Sequence, residues 1–223
     1  MDQLLSSFKV NVPNGVFIKD PETSDLGKKI IEKGIQAIHD LGFEGFTFKK
    51  LGSEIGSNES SIYRYFENKH KLLLYLTSWY WAWIEYQLVM ETHYMKDPLE
   101  KVLKAVQVIT REVENDSNYT HFDIVLLHKI MIEESSKSFL NRAVDEENEL
   151  GLFISYKRVH ERIKILMEAA NPTYKFSASL ASSLLTGTLK QFYFKNHFPS
   201  LTSCSSKVSP GDFYIHLIHK TLA

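Results

Sequence analysis

The sequence has few of the features that mark the specialised protein classes. It holds one cysteine, Cys204, so no internal disulfide can form and a disulfide-stapled scaffold is excluded. No apolar run reaches the roughly 18–20 residues that a membrane-spanning helix needs. The longest apolar segment, residues 72–83, is interrupted by Thr77 and Ser78. The first 25 residues lack the basic start and apolar stretch of a secretory leader. A formal net charge of −1 argues against a nonspecific nucleic-acid coat. There is no glycine-rich phosphate loop, no nucleophile elbow and no internal repeat. Of the nine histidines, His216 and His219 are one helical turn apart and His121 and His128 two, but no carboxylate or cysteine completes a tight cluster beside them. Glu133-Glu134 and Asp145-Glu146-Glu147 read as solvated charge runs. These absences lead us to expect a cytoplasmic, non-enzymatic protein with no cofactor and no metal.

What is present is an ordinary globular composition, 43% hydrophobic and 24% charged over 223 residues. Charge is distributed with a weak bias. Residues 26–72 carry 8 Lys/Arg against 6 Asp/Glu, a net of +2, and residues 73–223 carry 16 against 17, a net of −1. A role in DNA binding must therefore come from a motif.

Residues 1–25 read as an irregular, flexible arm broken by Pro13, Gly15 and Pro21. Leu26, Ile30, Ala37, Ile38 and Leu41 then fall at helical spacing, with Asp25 as N-cap and a left-handed stop at Gly42. Thr47 caps a short helix over 48–55, Gly56-Ser57-Asn58 makes a turn, and a third helix covers 59–66. A long helix over 69–94 is apolar on two sides, which means that it packs on two sides. Further helices are expected from Pro98 to about 115, over 120–136, over 141–170, over 176–198, and from Pro210 to 222, with a turn at 116–118. No strand pattern is found. The expected fold is all-α, about nine helices in all: a three-helix helix-turn-helix head and a six-helix body.

The segment 26–73 has the order helix, short helix, three-residue turn, short helix. The third helix turns Glu59, Ser60, Ser61 and Arg64 outward. None of these is bulky and apolar, as a face that enters a major groove requires. The run Thr47-Phe-Lys-Lys-Leu51-Gly-Ser-Glu-Ile55-Gly56-Ser-Asn-Glu-Ser-Ser-Ile62-Tyr63-Arg-Tyr65-Phe66-Glu-Asn-Lys69-His-Lys-Leu72-Leu73 resembles the TetR family of bacterial regulators. The match is dense in the head, and the rest agrees in helix number and length only. Glu59 and Ser60 depart from the Lys and Gly that many members carry there.

The resemblance implies a DNA-binding domain over 26–72 and an effector-binding and dimerisation domain over 73–223. It places Tyr63 and Lys69 on phosphates, with Tyr65 at a further backbone contact. Thr47 caps a helix whose N-terminal amides face a phosphate. Lys49, Asn58, Glu59, Ser60, Ser61 and Arg64 fall near the groove, where Arg64 suits guanine or a phosphate and Glu59 suits a cytosine amine. It further implies a dimer bound to a palindromic operator and released by a small-molecule effector, usually as a repressor.

In the body, the aromatic density of the fourth helix suggests a lining for an apolar or aromatic effector. Trp79, Trp83 and Tyr86 are candidates there, with Phe122, Leu126, Phe153 and Tyr156 from later helices; core filling is the competing reading. Small residues along 177–187 allow close helix approach, so Leu180, Leu184, Gly187, Phe192, Phe213 and Leu217 are the expected dimer surface. The alternative to a regulator is a non-enzymatic ligand-binding or interaction protein of this fold that has lost specific DNA binding.

Overall fold

A computed structural model describes residues 12–114 and 120–223. Among these residues there are ten α-helices, three short 3-10 turns and no strand. The helices are α1 (Asp25–Gly45), α2 (Phe48–Ile55), α3 (Glu59–Tyr63), α4 (Lys69–Thr92), α5 (Pro98–Thr110), α6 (Ile124–Glu134), α7 (Val144–Glu149), α8 (Ile154–Ala170), α9 (Ser177–His197) and α10 (Pro210–Leu222). The expected turn at 116–118 lies outside the described residues.

Most helix starts follow from local capping chemistry. Asp97 accepts the Glu100 amide at 2.8 Å ahead of Pro98, and Ser209 and Asp212 form a capping box around Pro210. The first helix departs from expectation, because Ser24 and not Asp25 is the cap, accepting from Gly27 at 3.1 Å. The single helix expected over 141–170 is two helices. Gly151 adopts φ +76° after α7, and Leu152 donates back to the Glu147 carbonyl at 3.0 Å, closing a left-handed stop. The helix expected to run to about residue 115 ends at Thr110, and Arg111 is extended. The third helix is shorter than 59–66, since after Tyr63 the chain tightens into a turn that buries Tyr65 and Phe66.

Packing divides the chain differently from a boundary at residue 72. One compact unit comprises the residues up to Tyr80 together with Val113–Ile154; the other comprises Trp81–Glu112 and Ser155–Ala223. Helix α4 supplies its first half to the former and its second half to the latter. Every residue of α4 from Leu72 to Glu85 is buried, so over this stretch the helix is core on every side.

In the first unit α1 packs on α2 and on α6, and α2 on α3. Residues 12–24 are not a loose arm. Val16 is fully buried, the Ile18 amide donates to the Tyr65 carbonyl at 2.8 Å, and Phe17 meets the edge of Tyr75 at 6.1 Å. Pro13, Gly15 and Pro21 break helical periodicity, but they shape a strap that docks. Glu22 in this strap accepts from the Tyr75 hydroxyl at 3.3 Å, and burial, followed by the charge of Glu22, pushes the Tyr75 phenol well above its ordinary range.

In the second unit α10 packs on α5 and α9, and α5 on α9. Gly187 of α9 leaves room for the Tyr214 hydroxyl, and a Cβ there would collide with it. Burial raises the Tyr214 pKa to about 12, with the nearby Cys204 adding to the shift.

Gly27 tests the docked strap. Alanine at a helical glycine ordinarily stabilises by about 1 kcal/mol. A Cβ on Gly27, however, would overlap the Pro21 backbone, and such overpacking costs about 1–3 kcal/mol. Gly27→Ala is therefore expected to lower the melting temperature and open residues 12–24 to proteolysis. A variant more stable than wild type would show that the strap does not pack there.

Candidate nucleic-acid interface

The turn between α2 and α3 is fixed from both sides. Thr47 Oγ1 accepts the Lys50 amide at 3.2 Å, which starts α2. Gly56, at φ +69°, ends it: its amide and that of Ser57 return to the carbonyls of Ser53 and Gly52 at 3.4 and 2.8 Å. A Cβ on Gly52 would sit 2.9 Å from the Ser57 carbonyl oxygen, so this crossing admits only glycine at that position. Asn58 then caps α3, its Oδ1 accepting the Ser61 amide at 3.0 Å and the Ser61 hydroxyl at 2.9 Å. Asn58 and Ser61, both expected near the groove, thus also build the helix that carries the others.

The outward face of α2 and α3 brings together Thr47, Lys49, Glu59, Ser60, Tyr63 and Arg64, all exposed. Tyr63 is propped edge-on against Phe48 at 5.1 Å and remains 47% exposed. Its cationic neighbours differ in how they are engaged. Lys29, Lys50 and Lys69 each donate to carbonyl oxygens at helix C-termini: Lys29 to Ile55 at 2.9 Å, Lys50 to Gly45 at 2.8 Å, and Lys69 to Phe43 at 2.8 Å and to Glu44 and Phe46 at 3.3 Å. The side chains of Lys49 and Arg64, by contrast, make no hydrogen bond or ion pair among the described residues.

Tyr65 corrects the expectation of a backbone contact. It is 3% exposed, its hydroxyl shares a 2.7 Å hydrogen bond with Ser24, and Lys19 lies over its ring. The tightened turn after Tyr63 points the two tyrosines to opposite sides. Lys69 was expected on a phosphate; its ammonium instead sits among three carbonyl oxygens and over the Phe43 ring.

Two carboxylates that read as solvated charge are part of the head's support. Gly42 at φ +67° breaks α1 one turn before its end. The Phe43 amide freed by the break donates to Glu134, the last residue of α6, at 3.0 Å. The other Glu134 oxygen holds Lys137 at 2.8 Å, and this carboxylate keeps the Lys137 ammonium above its ordinary pKa. Lys69 closes the corner from the carbonyl side. Glu147 of α7 is likewise buried, accepting from His70 at 3.0 Å and Lys71 at 3.4 Å at the start of α4. Runs of acidic residues look solvated in sequence, because their partners lie 91 and 77 residues away.

Residues 30–76 match the bacterial regulatory proteins of the tetR family. The sequence match is thus confined to the head. The fold likeness extends further than the sequence match. AibR in complex with isovaleryl coenzyme A and operator DNA aligns with a TM-score of 0.58 over 92% of this chain and 98% of its own, at 12% identity. The fatty acid degradation regulator FadR from Bacillus halodurans aligns with a TM-score of 0.56, at 19% identity, over 87% and 92%. The superantigen PfiT aligns at 0.58, with 18% identity, over 92% and 98%. A comparison with curated proteins returned no match. At these identities the structures share an all-helical fold; the match in this chain's own sequence is over residues 30–76.

Outside that head the expected effector lining does not form one cluster. Trp79 packs edge-on against Phe122 at 4.8 Å in the first unit, which also holds Leu126 and Phe153. Trp83, Tyr86 and Tyr156 belong to the second, where Tyr156 meets Trp81 at 5.0 Å. Trp79, Trp83 and Phe122 are buried, and the other four are part-exposed. The expected dimer surface is corrected more sharply. Leu184 and Phe192 are buried within their own chain and Gly187 serves the α9–α10 contact, whereas Phe213 is 42% exposed and Leu180 and Leu217 are part-exposed. The small residue at 187 makes room for α10.

Removing the Lys69 ammonium separates its two possible roles. Lys69→Met is expected to destabilise the free protein by about 1.5–3 kcal/mol, the range for hydrogen bonds made by a charged group, with Lys69→Arg losing less. Thermal melts without DNA check this. An unchanged melt accompanied by weaker duplex binding would return Lys69 to the phosphate role.

Proposed function

We propose that this protein is a sequence-specific DNA-binding transcriptional regulator, a cytoplasmic homodimer that represses from a palindromic operator and is released by a small-molecule effector. The observation that carries the reading is the outward face of α2 and α3, where a rigidly capped turn presents Lys49, Arg64, Tyr63, Glu59 and Ser60 to solvent. Lys49, Arg64 and the Tyr63 hydroxyl supply donors for phosphates, and the α2 N-terminus at Thr47 supplies amides. Arg64 has a fork that suits guanine O6 and N7, Ser61 a hydroxyl for either base edge, and Glu59 an acceptor for a cytosine amine. Glu59 also opposes binding to arbitrary sequence, so base choice has to outweigh its repulsion from phosphate.

A two-fold dimer would set two such faces about 34–36 Å apart, on successive major grooves. The outward residues of α9 and α10, Phe213, Leu217 and Leu180, are the surface for this contact. The effector is of apolar or aromatic character, and within the second unit Tyr86 and Tyr156 are the expected lining residues that keep part of their surface open. AibR is known with both an acyl-coenzyme A and operator DNA, which supports a two-ligand logic on this fold. Release follows if the effector binds more tightly to the DNA-incompetent conformation. The alternative, a protein of the same fold without DNA recognition, draws support from Glu59 and from the superantigen PfiT, whose fold is similar.

Two outcomes test the reading. Selection of bound duplexes from a random library should enrich a palindrome with half-sites about one turn apart. Arg64→Ala should relax one position of each half-site at a cost of about 1–3 kcal/mol. No enrichment by protein refolded free of ligand would favour the alternative. For the dimer, Phe213→Arg should yield a folded monomer by light scattering, whereas Leu184→Arg, at a fully buried position, should unfold the chain. A folded monomeric wild type at micromolar concentration would sink the dimer.

A further inference from the structure

Within the second unit, Glu85 of α4 is a buried carboxylate, 8% exposed. One of its oxygens accepts from Nε of Arg158 at 2.8 Å and the other from Nε of Arg162 at 2.6 Å. The two arginines lie one turn apart on α8. A buried carboxylate needs one cation to offset its charge; here it holds two, so the cluster is left with a net charge of +1. Both guanidiniums approach Glu85 by the Nε–H alone. Their terminal nitrogens make no hydrogen bond or ion pair among the described residues, and the side chains are 41% and 50% exposed. The neighbouring carboxylates are engaged elsewhere: Glu161 with Lys164 at 3.0 Å, and Glu91 with Arg111 and Lys104 at 2.6 and 2.9 Å.

We propose that Arg158 and Arg162, oriented by Glu85, form a binding site for a phosphate-bearing anion. A guanidinium edge offers two parallel N–H donors that match adjacent phosphate oxygens. Two such edges, one helical turn or about 5.4 Å apart, suit a group with several charged oxygens, such as a diphosphate. Glu85 fixes both side chains in advance, which lowers the entropy lost when an anion binds. Its negative charge also offsets the repulsion between two like charges one turn apart on a helix. Trp81 lies one turn before Glu85 on α4, and its ring meets Tyr156, which precedes Arg158 on α8. An anion at the arginines with an apolar or planar remainder would find this aromatic pair along the same two helices. The site goes beyond the regulator reading and does not depend on it, since it can be tested without DNA.

The test is calorimetric titration of the full chain with pyrophosphate and with ADP, with sulfate at matched ionic strength as control. Thermal melts across ligand concentrations up to about 10 mM would follow the stabilisation that binding to the folded state produces. Pyrophosphate or ADP should bind and raise the melting temperature while sulfate does not. Arg158→Gln/Arg162→Gln should weaken binding at least tenfold, Arg158→Lys/Arg162→Lys should weaken it several-fold because the charge stays while the forks go, and Lys164→Gln should leave it unchanged. Binding of pyrophosphate to the wild type without loss in the folded Lys/Lys and Gln/Gln variants would overturn the proposal. So would a wild type that no phosphate compound stabilises more than sulfate does. The Lys/Lys pair keeps the test decisive if the Gln/Gln chain fails to fold.

Discussion

The corner at residues 42–46 is the constraint on which the head depends. A helix that stops leaves donors and acceptors unsatisfied, and α1 breaks at Gly42 before it ends at Gly45, exposing both kinds within one turn. Lys69 supplies three donors to the carbonyls, and Glu134 supplies an acceptor for the Phe43 amide. One partner comes from the first residue of α4 and the other from the last residue of α6. The direction in which the chain leaves α1 for Thr47 and α2 is thereby set by groups far along the sequence. The orientation of α2 fixes that of α3 through the Gly52–Ser57 crossing. The end of α6 is thereby linked, through Glu134 and Phe43, to the placement of α2 and α3.

Much of the architecture was legible because its signals are local. Thr47, Asp97-Pro98 and Pro210 mark helix starts through caps completed within three residues, and α2 spans the residues its periodicity implies. The left-handed glycine at 42 was readable for the same reason. Illegible features are those whose partners come from tertiary contact. Glu134 and Glu147 read as surface charge, Tyr65 as a ligand contact and residues 12–24 as a loose arm; each is buried or engaged by groups 41 to 91 residues away. Asn58 was read as part of a turn, although an Asn three residues before Ser61 is an available N-cap signal. Gly151 was a similar signal within the stretch expected as one helix.

The body was legible in helix number and poorly legible in the direction its residues face. A small-residue stripe permits close approach but does not say by whom. In α9 the approach is made by Tyr214 of the same chain, which places Leu184 and Phe192 inside. Aromatic density on α4 has a similar ambiguity, because a helix buried on every side from Leu72 to Glu85 needs large rings as filler. That the same fold serves AibR, FadR and a superantigen shows how little the helical body alone specifies.

The three lysines fixed at helix ends change how the head would travel along a duplex. Lys29, Lys50 and Lys69 each sit against the negative pole of a helix, which offsets much of their outward field. On the outward face of α2 and α3 the pull on a polyanion then falls to Lys49 and Arg64, with Glu59 opposing them. Nonspecific attraction is what lets a regulator slide and linger on unrelated sequence. If this head binds DNA as proposed, weak nonspecific attraction would shorten its stay on unrelated sequence and leave retention to the contacts made at a preferred site.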